Sequence, residues 1–345
     1  MNKLISRLNL SYENDCSKCR ELNVLQFLFR LTFSDCVNGL QMKQVQDLDY
    51  KSEARRGLLF VFMAGVLWST VGLGIRMIEE ATVWQILLYR SISLSLFLAI
   101  VIYLRSSGNL FTIVRAAGLP ACIAGLALVG AYAGGIYGIQ STSVANAMLL
   151  FASAPFMAAI LGWIFLREKV RKATWVSILF AMLGIGIMVQ DKSQGSALLG
   201  NLAALGSAFG FAVFTVALRW GRSGEMLPAV FLSGIFAIFI TSSICLFSGL
   251  PFQISVNDTS ISMGMGVFQV GAGLVLYTLG SKTLPAAELT LLSLAEVLLG
   301  PLWVYLFLNE VATFNTLVGG LVLLLAIAGN AISGARRKPP PITSP

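Results

Sequence analysis

The sequence predicts an all-α integral membrane protein: ten transmembrane helices laid out as two inverted five-helix repeats. Three observations carry this expectation. The 345 residues are 57% hydrophobic and 12% charged, with a mean hydropathy of +0.81, whereas soluble chains carry about 25% charged residues. From residue 57 onward, apolar runs follow one another closely, each near the roughly 20 residues that cross a bilayer. The basic residues fall in alternate connections, and the two halves of this region align with each other.

Composition also narrows the chemistry. The chain has no histidine, which removes the commonest general base and neutral metal ligand. Its five cysteines are scattered, two of them inside predicted spans, so no disulfide framework is suggested. The net charge of +8 sits in short loops between apolar spans, which is an orientation signal and not a nucleic-acid footprint. Gly72 and Gly74 lie mid-span and form no nucleotide fingerprint. No catalytic residues, no metal and no cofactor are expected.

Residues 1–56 read as a cytoplasmic N-terminal tail. Their apolar patch, Leu22 to Phe33, is too short and too interrupted by charge to span, and no small-residue cleavage site follows it. Cys16 and Cys19 form a CxxC pair with only Cys36 nearby. Half a zinc site is one reading of it, and a chance pair in a tail is the preferred one. Met42 opens a second plausible leader, so residues 1–41 are expected to be dispensable or a start-site artefact.

The spans are expected at 57–78, 82–104, 116–139, 143–166 and 173–190, then at 198–219, 226–249, 262–281, 285–308 and 312–334. Residues 57–190 and 198–335 form the two repeats, and 336–345 a cytoplasmic C-terminal tail. Lys51, Arg55, Arg56, Arg105, Arg115, Arg167, Lys169, Arg171, Lys172, Arg219, Arg222, Lys282, Arg336, Arg337 and Lys338 all fall on one side of a ten-span layout. The other side holds Glu79, Glu80, Asp191, Lys192, Asp258 and Glu310, with Arg76 as a partial exception. The positive-inside rule then puts both termini in the cytoplasm of a multi-pass protein of the cytoplasmic (inner) membrane.

The halves align at an offset of 142 residues, where Glu168 meets Glu310 and Trp163 meets Tyr305. At 143, Trp68 meets Phe211 and Arg76 meets Arg219. Five spans per half is an odd number, so the second half is inverted. Such repeats give two pseudo-equivalent conformations, the basis of alternating access around a midplane site.

These features resemble the EamA family of the drug/metabolite transporter superfamily over residues 57–335. The first half matches a proline followed thirteen residues later by glutamate, Pro155 and Glu168, before a basic loop and a helix with Gly184 and Gly186. The second matches two glutamates fourteen apart, Glu296 and Glu310. Many members place a proline directly after the first of these. Here that position is Val297 and the proline is Pro301, so a bend is expected about one turn later. The resemblance implies transport of a small metabolite, over many chemical classes.

Glu296 lies halfway along span nine, and Arg90 is the deep cation of span two. A charge at the bilayer centre costs about 2.5–3.5 kcal/mol on insertion scales, so both are expected to face the bundle interior. Glu296 reads as a substrate-amine contact or proton-coupling carboxylate, Arg90 as a carboxylate or phosphate clamp. A structural pairing of the two is the alternative. Glu288, near the cytoplasmic end of span nine, is a gate contact or a solvated helix end. Glu168, Glu310, Pro155 and Pro301 are expected to be structural. Trp68, Tyr132, Tyr137, Asn146, Phe211, Gln269 and Tyr277 are candidate cavity liners, with aromatics able to stack on flat or cationic solutes. The pairs Gly130–Gly134 and Gly206–Gly210 have the small-xxx-small spacing of closely packed helices.

The expected function is that of a secondary transporter, an exporter, of amino acids or related metabolites. Import or exchange of a nucleoside, nucleotide-sugar, S-adenosylmethionine-like or vitamin substrate stays open, as does proton coupling against facilitated diffusion. From other classes come a membrane enzyme, for which no paired carboxylates or nucleophile–base pair is visible, and a non-transporting receptor or scaffold, against which the inverted repeat argues. The expected partners are a small-molecule substrate, the lipid bilayer and a second copy in a homodimer, with no nucleic acid.

Overall fold

The computed structural model describes residues 55–105, 110–190, 197–221, 226–281, 284 and 286–335. The expectations for Cys16, Cys19, Met42 and both tails lie outside the described residues. Ten helices follow in order: α1 (Arg55–Arg76), α2 (Val83–Arg105), α3 (Leu110–Ser141), α4 (Val144–Leu166), α5 (Lys172–Val189), α6 (Ala197–Trp220), α7 (Leu227–Phe247), α8 (Val256–Gly280), α9 (Ala286–Leu308) and α10 (Phe314–Ala335). Among the described residues, nine helices are long and apolar enough to cross a membrane, and α9 adds the shorter apolar stretch Leu294–Leu308.

Hydroxyl side chains mark several helix starts, because the first backbone N–H groups of a helix need acceptors. Ser143 accepts from the Asn146 N–H at 3.2 Å at the start of α4, and Ser255 from the Asp258 N–H at 3.0 Å at the start of α8. The α8 helix therefore begins six residues before the expected 262. Its polar first turn, read as loop, is paired from outside. Asp258 is not a loop charge but is wholly buried, accepting from the backbone N–H groups of Glu79, Glu80 and Ala81 at 3.2, 3.1 and 3.0 Å.

Breaks occur where the ladder of backbone bonds is interrupted. A turn at Ala152–Ser153 divides α4 just before Pro155, which stands in the first turn of the second segment. The equivalent region of α9 carries Val297 in place of that proline and runs on as helix through Pro301 from Ala286 to Leu308. The expected bend is thus not matched by a break in α9. Gly118, at φ 66°, kinks α3, and α8 contains a π-helical stretch, Met265–Ala272.

Antiparallel succession gathers Arg105, Arg167 and Arg219 at one end, the basic end, and Glu79, Glu80 and Glu310 at the other, the acidic end. The helix pairings follow the repeat. α2 packs on α7 and α5 on α10, each pair being equivalent helices of the two halves, and α3 on α7 recurs as α8 on α2. At the α5–α10 contact, a Cβ on Gly184 would stand 2.6 Å from the Gly319 carbonyl oxygen, so only glycine allows this approach. At α3–α6 the close approach is made by Gly134 and Gly210. Gly130 and Gly206, their partners in spacing, have nothing within 4 Å.

Candidate functional site

Arg90 projects from α2 into the bundle and is 3% exposed. Its guanidinium carbon lies 4.3 Å from the centre of the Tyr132 ring on α3, a cation–π contact. Its Nε and Nη2 have no hydrogen-bond partner. Ser93, one turn on, places its hydroxyl 2.9 Å from the Met263 carbonyl and so ties α2 to α8. There Gly266 leaves no room for a Cβ against the Arg90 carbonyl. One turn further along α8, Gln269 donates to the Trp68 carbonyl at 3.5 Å, while its own Oε1 is buried and unpartnered.

Trp68, Tyr132 and Phe211 pack on the same core cluster, which includes Leu94, Leu128 and Phe214. Tyr277 meets Trp68 at a ring separation of 5.3 Å, and Phe211 meets Phe151 at 5.5 Å. Four expected liners therefore converge from α1, α3, α6 and α8. Glu296 stands on α9, which packs against α1. Its backbone N would lie 3.8 Å from a Cβ on Gly65, and Trp303, two turns on, donates to the Ser69 hydroxyl at 2.8 Å. Trp303 and Ser69 had no distinguishing sequence pattern.

Among the described residues the ion pairs are Arg76–Glu310 and Arg219–Glu168. Arg90 and Glu296 do not pair with each other. At about 1.5 Å per residue, Arg90 sits about 10 Å from the acidic end of α2 and Glu296 about 18 Å from that end of α9. An arginine and a glutamate thus stand at different depths, with no ion pair between them.

Other expected residues fall elsewhere. Asn146 donates to Asn201 and to Thr142 at 3.3 Å, and accepts from Thr316 at 3.3 Å. Its amide ties α4 to α6 and α10. Tyr137 is 40% exposed. The side chain of Glu288 lies outside the described residues. Glu310 accepts from Arg76 at 2.9 Å and from the Val144 N–H at 2.7 Å, while Arg76 also donates to the Thr142 carbonyl at 2.7 Å. Glu168 accepts from Arg219 at 2.7 Å, and Arg219 donates to the Ala158 carbonyl at 3.1 Å. A cleft of about 700 Å³ at the basic end is lined by Trp163, Arg167, Glu168 and Trp175, away from Arg90.

An unpaired cation, an unpaired carboxylate and converging aromatics inside an apolar helical bundle suit a polar solute taken into a membrane protein. The EamA-like transporter family model matches the chain twice, at residues 55–190 and 198–332. The chain belongs to the EamA-like transporter family. It is accordingly a multi-pass membrane protein of a transporter family.

Relatives of this EamA-like protein include the uncharacterized transporter YwfM of Bacillus subtilis (strain 168), 26% identical over 208 residues, or 58% of this chain and 68% of that one. The human solute carrier family 35 member G1 is 22% identical over 299 residues, covering 80% and 79% of the two chains. Protein RarD of Escherichia coli (strain K12) is 24% identical over 237 residues, covering 65% and 74%. A solved crystal structure superposes on 81% of this chain and 98% of its own with a TM-score of 0.56 at 16% identity. That likeness concerns the fold alone.

Proposed function

We propose that this protein is a secondary transporter that exports a small zwitterionic metabolite, an amino acid or a close relative, by alternating access between its two repeats. The observation that carries the reading is the buried guanidinium of Arg90, with two nitrogens unpartnered beside converging aromatic rings, together with Glu296 in the bundle and in no ion pair with it. A guanidinium offers forked donors to a carboxylate. A carboxylate at a different depth suits an ammonium group, or a coupling proton. Trp68, Tyr132, Tyr277 and Phe211 supply flat apolar surface between them. Gln269 adds a buried acceptor.

In this reading the basic end faces the cytoplasm of the inner membrane, by the positive-inside rule, and both termini are cytoplasmic. Asn146 acts as a brace between helices. Solute counterflow in proteoliposomes tests the reading against a panel of zwitterionic, anionic and cationic metabolites. Exchange of zwitterions supports it. Selective exchange of cations, with zwitterions ignored, would overturn the assignment of Arg90.

A further inference from the structure

We propose that Arg76–Glu310 and Arg219–Glu168 are paired latches, related by the internal symmetry, that hold the acidic and basic ends closed and open in alternation. The four residues are two copies of one device. Glu168 and Glu310 are repeat equivalents, as are Arg76 and Arg219. Each glutamate follows a left-handed residue, Arg167 or Asn309, both at φ 54°. Each glutamate N–H then donates to the carbonyl six residues back, Gly162 at 3.2 Å and Val304 at 3.3 Å. That bond reaches one residue further back than the corresponding bond of a Schellman turn, the helix ending that usually employs glycine at the left-handed position. Arginine is costly there and persists only where its surroundings fix it, whereas asparagine is the usual alternative to glycine. The left-handed conformation recurs at equivalent positions, immediately before the two glutamates.

The pairing also crosses between repeats. Arg76 of the first half meets Glu310 of the second, and Arg219 of the second meets Glu168 of the first. Because the halves are inverted, the same cross-link lands at opposite ends. When inverted repeats exchange conformations, contacts made at one end are lost there and kept at the other. An ion pair joining the repeats at one end must break as that end opens, while its equivalent holds the opposite end. Both pairs are formed here.

The copies are unequal. The acidic-end pair also binds the Thr142 carbonyl and the Val144 N–H. Its side chains are 28% and 21% exposed, against 41% for both members of the basic-end pair. Water screens the basic-end pair more, so that end opens more readily and the resting protein favours access from it. This inference rests on alternating access but not on the substrate's identity.

Thiol accessibility tests it without a substrate. The full chain, with its five native cysteines replaced and Trp68→Cys as reporter, is reconstituted in vesicles and labelled with an impermeant maleimide from either side. Arg76→Gln or Glu310→Gln is expected to raise labelling from the acidic-end side by up to about fivefold, the range of a half-exposed ion pair, and to lower it from the other. Arg219→Gln or Glu168→Gln is expected to do the reverse. The exchanged pair at the basic end, Arg219→Glu with Glu168→Arg, where Glu168 accepts from Arg219, should return labelling toward the parent level. Shifts in the same direction for both latches, no shift in either, or no recovery in the exchanged pair would overturn the proposal. Opposite shifts, with no solute moved by vesicles of the protein that retains Trp68, would keep the latches and remove the transport reading. Flux without the shifts would do the opposite.

Discussion

Arg90 is held among apolar helices by one ring. A desolvated cation–π contact contributes about 2 kcal/mol, while burying an ion costs several kcal/mol, so Tyr132 offsets only part of the penalty. A side chain retained at such a cost is better explained by what it binds than by what it stabilises. Arg90→Met is therefore expected to leave thermal stability in detergent unchanged or raised while abolishing flux. Arg90→Lys keeps the charge but loses the fork, and should reduce flux at least about tenfold, the equivalent of about 1.4 kcal/mol in binding. If Arg90 is instead a brace, the methionine variant melts lower. That both charges lie inside apolar spans was legible in the sequence. Their failure to pair was not, because it depends on depths set by helix packing. Asn146 shows the same limit: its partners Asn201 and Thr316 lie 55 and 170 residues away, and nothing local announces them.

At the scale of elements, hydropathy located every helix, and the misreadings came where tertiary partners override local chemistry. The first turn of α8 reads as loop because Asp258 is costly in hydrocarbon. Three backbone N–H groups of the α1–α2 connection satisfy it instead. Asp258→Ala would leave those donors without their acceptor, the Ala81 N–H buried among them, at about 1–3 kcal/mol for a buried group. A loss of at least about 2 kcal/mol in unfolding free energy is expected, measured by denaturant titration in detergent. Glycine spacing was likewise only half informative, since it marks a helix surface without saying which residue meets the partner. Gly184→Leu should destabilise by about 1–3 kcal/mol through overpacking against Gly319. Gly206→Leu, with nothing within 4 Å, should be tolerated. Comparable melting temperatures for these two variants would contradict the packing described for α5 and α10.

At the scale of the molecule, the inverted repeat was the most legible feature, because matched glutamates, arginines and aromatics are rare enough in apolar spans to align. The cross-pairing of those residues between halves was not visible, since an offset shows equivalence and not contact. Among the described residues the fold thus places an arginine and a glutamate that do not pair inside, and an ion pair at each end. A transporter needs that division: something to receive the solute's charges, and something to hold each end shut in turn. The most direct test is counterflow of labelled amino acids in proteoliposomes of the wild type, Arg90→Met and Glu296→Gln, all checked for folding by their melting temperature. The account predicts saturable exchange of zwitterions by the wild type and at least about a tenfold loss in each folded variant, more than about 1.4 kcal/mol. Wild-type exchange preserved in both variants would contradict it.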